Sequence, residues 1–470
     1  MYQSKKLARS IFVYRWLLAS VLSVVLALST TLIPANAAVK AGAKCTKVGI
    51  KSTVGNKAFT CIKSGRKLVW DRGYTISQNV NPDNYVGKSV DISACQIQET
   101  QNKTMAGSKG FPIRNALKTT GDVKIVIVPV DFNNAIGVGI PGDMYKDDLI
   151  KISEWSKFFS KNKLNYQPIL ASKSWLRASK GAEWYVRKGE KGATNELQSP
   201  MSAIQELVTL SDPVVDFSST DFIYFVFPES AEKNYGTSIY SGITSTIKIN
   251  TAEGIQSISA YGELGGAYLS YPRDEIWDQL IHELLHFQGF IGHGPTSPIV
   301  FGNEAGSSLG VMQGQWGNSK AVTSWEAFLA NWYGSKEIIC LDVTKLEGET
   351  YITLGSIDKM DSDPISIMVK LNSDELLVIE KRSDGKFTDF RQDKKFGPFP
   401  ERKEFAGKNT FTAYSVNVNA KSNRENPGGE NFWNYVLENG KLALRDKITY
   451  KGINLKFSNN QVAISAIKNP

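Results

Sequence analysis

Two stretches of this chain are almost continuously apolar, and both predict strands buried on two faces. They are Val123–Asp131 and Phe222–Phe227. Between them, Asp147–Phe159 places Leu149, Ile152, Trp155 and Phe158 at helical spacing, and Met201–Leu210 predicts a second helix. Strand, helix, helix, strand is an α/β order. Past Cys340 the period shortens. Tyr351–Leu354, Ile365–Leu371, Glu375–Lys381, Phe411–Val418 and Ile453–Phe457 read as short strands, with turn residues such as Ser383-Asp-Gly385 and Asn426-Pro-Gly-Gly429 between them. The second half therefore predicts an all-β, sandwich-like domain.

The amino-terminal part is built differently. Lys5, Lys6, Arg9 and Arg15 precede an apolar run from Trp16 to Ile33, and Ala35-Asn36-Ala37 is a small-residue cleavage site. Residues 1–37 read as a secretory signal, with an uncleaved membrane anchor as the alternative. Residues 38–72 form a small module of short β-like runs, Lys57–Cys61 and Lys67–Trp70, broken by glycines. Residues 73–121 are polar and weakly periodic, which suggests a linker or a wrapping segment. The expected domains are then 122–340 (α/β) and 341–470 (all-β).

Composition sharpens this picture in two places. The formal charge of +9 contains four basic residues of the leader, so the mature chain carries +5. We read that excess as spread along the length and suited to loose attraction to an anionic cell surface or wall. Nucleic acid is not an expected partner, because no aromatic-basic motif occurs, and no membrane span is expected once the signal is removed. The four cysteines, Cys45, Cys61, Cys95 and Cys340, are an even number in an exported chain and read as two disulfides. Cys45 with Cys61 is the local pair, which leaves Cys95 with Cys340. The absence of CxxC argues against redox catalysis and thiolate zinc sites. The expected location is secreted or cell-surface.

All three histidines fall within twelve residues, His282-Glu-Leu-Leu-His286-Phe-Gln-Gly-Phe-Ile-Gly-His293. Residues four apart share one helix face. A catalytic zinc takes three protein ligands and leaves a position for water. His282, His286 and His293 supply such a set, and Glu283 is placed to take a proton from a zinc-activated water. Pro272, Asp274 and Glu275 suit a helix start, and Ile276, Leu280, Ile281, Leu284 and Leu285 form its anchoring apolar face. Gly289 is expected at positive φ, ending the helix and turning the chain back toward the metal.

These residues resemble the metzincin zinc proteases, whose signature is HExxHxxGxxH followed by a methionine turn. His282, Glu283, His286 and Gly289 match position for position. The third histidine departs by one residue, since the family position is Gly292 and the chain has His293. An acidic residue from elsewhere, or water, is the other choice for that ligand. Met312, in Leu309-Gly-Val-Met-Gln-Gly314, fits the methionine turn; the plainer reading is a core methionine. Within the metzincins, Ser324–Tyr333, Glu375–Arg382 and Phe411–Val418 are similar to segments of the immune-inhibitor-A-like group, peptidase family M6. Lys44–Trp70 resembles a paired-cysteine module of secreted Gram-positive proteins. The resemblance implies a metzincin-like catalytic domain of α/β or α+β class, then a β-sandwich-like domain. It also implies a secreted Zn2+ endopeptidase acting on protein or peptide substrates. In that family, the region corresponding to Ser257–Tyr271 supplies the edge strand that pairs with substrate.

Two other function classes stay open. One is a non-catalytic surface or adhesive protein that keeps zinc as a staple, although a purely structural zinc needs no Glu283. The other is a zinc hydrolase of a non-protein, cell-wall bond. Asp358, Asp361 and Asp363 offer carboxylates for Ca2+, but their spacing does not support an EF-hand loop and a solvated turn is preferred. Tyr333 reads as a packed aromatic. Cys95 as a latency thiol lacks a surrounding motif.

Overall fold

The structure, a computed structural model, describes residues 39–54, 57–75, 83–100, 107–185, 200–228, 230–231, 246–262, 276–291, 310–312, 319–388, 410–419, 433–435, 447–458 and 460–467. The leader, residues 1–37, lies outside them. Among the described residues no helix is long and apolar enough to cross a membrane. The chain divides into two compact units, Met1–Asn81 and Pro82–Pro470.

The first unit is a four-stranded antiparallel sheet of β1 (Lys51–Val54), β2 (Lys57–Ser64), β3 (Lys67–Trp70) and β4 (Tyr74–Thr75). β1 and β3 flank β2, and β4 also pairs with β2. Its core is only Cys45, Phe59, Cys61 and Trp70, with Val39, Ala43 and Leu68 against it. So small a core needs a covalent staple, and the Cys45–Cys61 disulfide provides it.

The second unit is layered about two apolar strands. β5 (Gly121–Asp131) and β8 (Phe222–Val226) sit inside a sheet of order β6-β5-β8-β10-β9. β6 is Leu164–Leu170, β9 is Ile247–Thr251 and β10 is Gly254–Gly262. β6, β5, β8 and β10 run parallel, and β9 pairs antiparallel with β10. Alternate residues of β5 serve opposite cores. Val123, Ile125 and Ile127 enter one, and Val126, Val128 and Val130 enter the other. This explains the near-continuous apolar run. Helix α1 (Lys146–Phe159) packs on the first face and α2 (Pro200–Ser211) on the second.

The first core extends well beyond this sheet. It takes in α3 (Trp277–Phe287), α4 (Ser324–Leu329) and one face of a second sheet. That sheet has β11 (Ile338–Asp342), β13 (Ser366–Lys370), β14 (Glu375–Arg382), β15 (Thr410–Asn417) and β16 (Trp433–Tyr435), in that order. Its other face shares a third core with a sheet of order β12-β19-β18-β17. These strands are β12 (Thr350–Thr353), β17 (Ile448–Tyr450), β18 (Ile453–Ser458) and β19 (Gln461–Ala466). Cys340 lies in the first core and its neighbour Leu341 in the third. β14 is therefore buried on both faces, its charged end Glu380, Lys381 and Arg382 included.

The polar stretch before β5 is a strap. Ser89 bridges Leu341, the Val90 amide donates to the Cys340 carbonyl, and Cys95 forms a disulfide with Cys340 across 245 residues. Farther along, the Ser108 amide donates to the Gly289 carbonyl, and the Ala116 and Leu117 amides donate to that of Phe287. Residues 83–100 thus hold to the second sheet and residues 107–117 to the end of α3.

Candidate metal centre

α3 is the helix that carries His282, Glu283 and His286. Leu280, Ile281, Leu284 and Leu285 are fully buried in the first core, so the helix is held by a broad apolar face. Pro272, Asp274 and Glu275 lie outside the described residues. The helix begins at Trp277 after Ile276, which offers no side-chain cap. Asp148 of α1 fills that role. Its Oδ1 accepts from the amides of Ile276 at 2.8 Å and Trp277 at 2.9 Å. A buried carboxylate there satisfies helix-start donors and complements the positive end of the dipole. Asp278, in the first turn, accepts from Lys320 Nζ at 3.1 Å, and both side chains are buried.

The other end closes as the sequence suggests. The Gly289 amide donates to the His286 carbonyl and the Phe290 amide to that of Leu285. Gly289 has φ +93°, and a Cβ there would lie 2.2 Å from the Arg114 carbonyl oxygen. Only glycine suits both the turn and the strap's approach. Gln288 is pinned as well: its Oε1 accepts from Tyr166 of β6 at 2.8 Å, and its Nε2 donates to the Lys118 carbonyl at 2.7 Å. Burial pushes the Tyr166 phenol well up, which keeps it a neutral donor.

The two imidazoles converge. His282 Nε2 and His286 Nε2 are 3.0 Å apart, with the rings at 85°. His282 Nδ1 is 2.8 Å from the Val311 carbonyl and His286 Nδ1 is 3.2 Å from that of Phe290. A carbonyl can only accept, so each Nδ1 carries the proton and each neutral ring keeps its Nε2 lone pair. The two Nε2 atoms, 3.0 Å apart, converge on one point, where neutral rings present both lone pairs to a cation. Zinc–imidazole bonds of about 2.0–2.1 Å reach both nitrogens. Ligand histidines ordinarily have their second nitrogen held by a carbonyl or carboxylate in this way. The donor set fits zinc.

His282 is 1% exposed, whereas Glu283 and His286 are half-buried, so the pair opens to one side. Glu283 follows His282 by one residue, about 100° around the helix, and is off the line of the two nitrogens. His293 lies outside the described residues. Among the described residues no group of three or more His, Cys, Asp or Glu is gathered for a metal. Met312 is fully buried in the first core, directly after the Val311 carbonyl that holds His282. Ser257–Tyr271 is described only to Gly262. There β10 pairs with β8 over Ser259–Gly262, and its pairing with β9 ends at Ile258, opposite Ile247; among the described residues no strand pairs with the far edge of Ser259–Gly262.

Several other readings resolve separately. Asp358 is buried against Arg382, Asp361 accepts from the Ser356 amide, and Asp363 pairs with Lys161, so these carboxylates have their own partners. Asp358 is thus no solvated turn residue. Desolvation raises its carboxyl, and Arg382 opposes that shift. Tyr333 is buried, with its hydroxyl on Met360 Sδ at 3.5 Å. Cys95 is in a disulfide and offers no thiol. Sequence reasoning missed Asp148, Lys320 and the strap's contacts with α3. Asp148 lies in the first turn of its own helix, and nothing in its spacing joins it to residue 276. No protein-family model matches the chain, and no curated protein is significantly similar to it.

Proposed function

We propose that the protein is a secreted zinc-dependent endopeptidase that hydrolyses peptide bonds of extracellular proteins. The observation that carries this reading is the convergence of His282 Nε2 and His286 Nε2, 3.0 Å apart, with each Nδ1 on a backbone carbonyl. His282 and His286 hold the metal, and His293 is its third ligand. Bound zinc supplies Lewis-acid polarisation of the scissile carbonyl and a more acidic water. Glu283 takes the proton from the attacking water onto its carboxylate and returns it to the leaving nitrogen. The far edge of β10 beyond Ile258, which has no partner strand among the described residues, suits an extended substrate held by backbone hydrogen bonds, which reads little sequence. The fold reading, a metzincin-like domain followed by a β-sandwich-like one, belongs to the same proposal.

The test is zinc per chain and casein digestion for wild type, His293→Ala and Glu283→Ala. Wild type should hold one zinc, His293→Ala should lose it, and Glu283→Ala should keep it while digestion falls by about 10²–10⁴. A folded wild type that takes up no zinc overturns the proposal. Full zinc in His293→Ala overturns that residue's assignment. Hydrolysis confined to cell-wall fragments replaces the substrate class.

A further inference from the structure

The positive charge of this protein is not spread along its length, contrary to the reading of the bare sequence. The described part of the first unit carries Lys40, Lys44, Lys47, Lys51, Lys57, Lys63, Arg66, Lys67 and Arg72 against one acid, Asp71. That is a net +8, and it leaves the rest of the mature chain at −3. All nine basic side chains are exposed. None takes part in an ion pair among the described residues. Asp71 is occupied within the fold, its Oδ1 accepting from the amides of Thr60 at 3.1 Å and Gly73 at 2.9 Å. Concentrating like charge on so small a core opposes folding through self-repulsion. A disulfide-stapled unit tolerates that cost, and a polyanionic partner offsets it.

The sheet register shows how the charge is distributed. Lys57, Phe59, Cys61 and Lys63 alternate along β2 and so share one face, with Phe59 and Cys61 in the core. Lys51 stands opposite Thr60 and Lys67 opposite Ser64, which puts both on the other face. Lys57 and Lys63 are near opposite ends of β2, an eight-residue strand about 23 Å long at about 3.3 Å per residue. The cations therefore ring the sheet. The exposed aliphatics are Val48, Ile50, Val54 and Ile62, and they are also divided: Val54 stands opposite Lys57 on the core-side face, whereas Ile62 is on the reverse face. An interfacial membrane element needs one apolar face, which this unit does not have. Phe59 and Trp70 are buried, so neither serves as a stacking platform for bases.

From this geometry we infer that the first unit binds a flexible, phosphodiester-linked polyanion of the cell exterior, which wraps the cationic ring and tethers the protein. The inference goes beyond the proposed hydrolysis and stands whether or not the metal centre is active. Recognition is by phosphate charge and is released by salt.

The experiment uses the full mature chain and fluorescent poly(glycerol phosphate), titrated at two salt concentrations. Contact with about five phosphates predicts an affinity about a hundredfold weaker at 200 mM than at 50 mM salt, using the single-strand slope. Replacing Lys47, Lys51, Lys57, Lys63 and Lys67 together by Gln should remove more than tenfold of the affinity and most of the salt dependence. A control variant with Gln at Lys146, Lys157, Lys180, Lys336 and Lys345, all exposed in the second unit, undergoes the same charge change and should bind like wild type. An unchanged far-UV circular dichroism spectrum and thermal unfolding midpoint establish that each variant is folded. Equal weakening in the two variants overturns the inference in favour of net charge alone. Binding to anionic phospholipid vesicles but not to the polymer replaces it with a membrane surface. Tighter binding to single-stranded DNA of equal charge replaces it with nucleic acid.

Discussion

Asp148 Oδ1 lies 2.8 Å from the Ile276 amide nitrogen, so one helix caps the start of the helix that carries the histidines. The second bond, to the Trp277 amide at 2.9 Å, uses the same oxygen. The cap joins elements 128 residues apart and fixes the start of α3 against α1.

Asp148→Ala leaves these two amides without the carboxylate in a buried site. The expected cost is about 2 kcal/mol, the upper end for loss of a helix cap. Asp148→Asn keeps an acceptor oxygen and should recover most of it. Denaturant unfolding of the two variants checks the stability. A chelator competition should show weaker zinc binding in Asp148→Ala, because α3 is the platform for both ligands.

The strap is held by Arg114 and Glu99. The guanidinium Nη1 meets Glu99 Oε2 at 2.9 Å, Nη2 meets Oε1 at 3.2 Å, and Nη2 also donates to the Gly107 carbonyl at 2.7 Å. The Glu99 side chain is fully buried and that of Arg114 is 34% exposed. Arg114→Ala takes both guanidinium donors from a buried carboxylate, which keeps the Lys109 amide at 3.0 Å. The expected cost is about 2 kcal/mol, below the range for a fully buried pair because the guanidinium is partly solvated. The loss should be felt first where the strap meets the metal helix. Hydrogen exchange should show the Phe290 and Gly289 amides opening well before the strands of the second unit.

Loss of the Cys95–Cys340 disulfide should be the most damaging single covalent change in the second unit. Its ends are 245 residues apart, and the chain-entropy account gives about 5 kcal/mol for such a loop. A Cys95→Ala, Cys340→Ala double variant should unfold at a markedly lower denaturant midpoint. An unchanged midpoint would mean that the hydrogen bonds of Ser89 and Val90 already hold the strap without the bond.

Much of this was legible from pattern. β5, α1, α2, β8 and the strands β13, β14, β15 and β18 lie where period and turn residues put them, within a residue or two at each end. Both disulfide pairings were legible too, one from proximity and the other by elimination. The helix stop at Gly289 followed from local chemistry, because a glycine just past an apolar helix has few other uses. Charge was misread. A net value has no location, but residues 38–72 alone hold nine basic residues and one acid, more than the whole excess, and the structure makes them part of a separate unit.

What the sequence alone determined is local: which residues are the candidate metal ligands, which segments repeat with helical or strand period, and where the chain turns. Those properties depend on neighbours a few positions apart, and His282, Glu283 and His286 need only one turn of helix to be brought together. What only the tertiary structure decided is the support of that site. The Asp148 cap, the Val311 carbonyl on His282, the Lys320–Asp278 pair and the strap on Gly289 each join residues far apart in the chain. Those contacts form because a buried polar group must find a partner within about 3 Å, and only the packing of cores and sheets determines which distant residue arrives there.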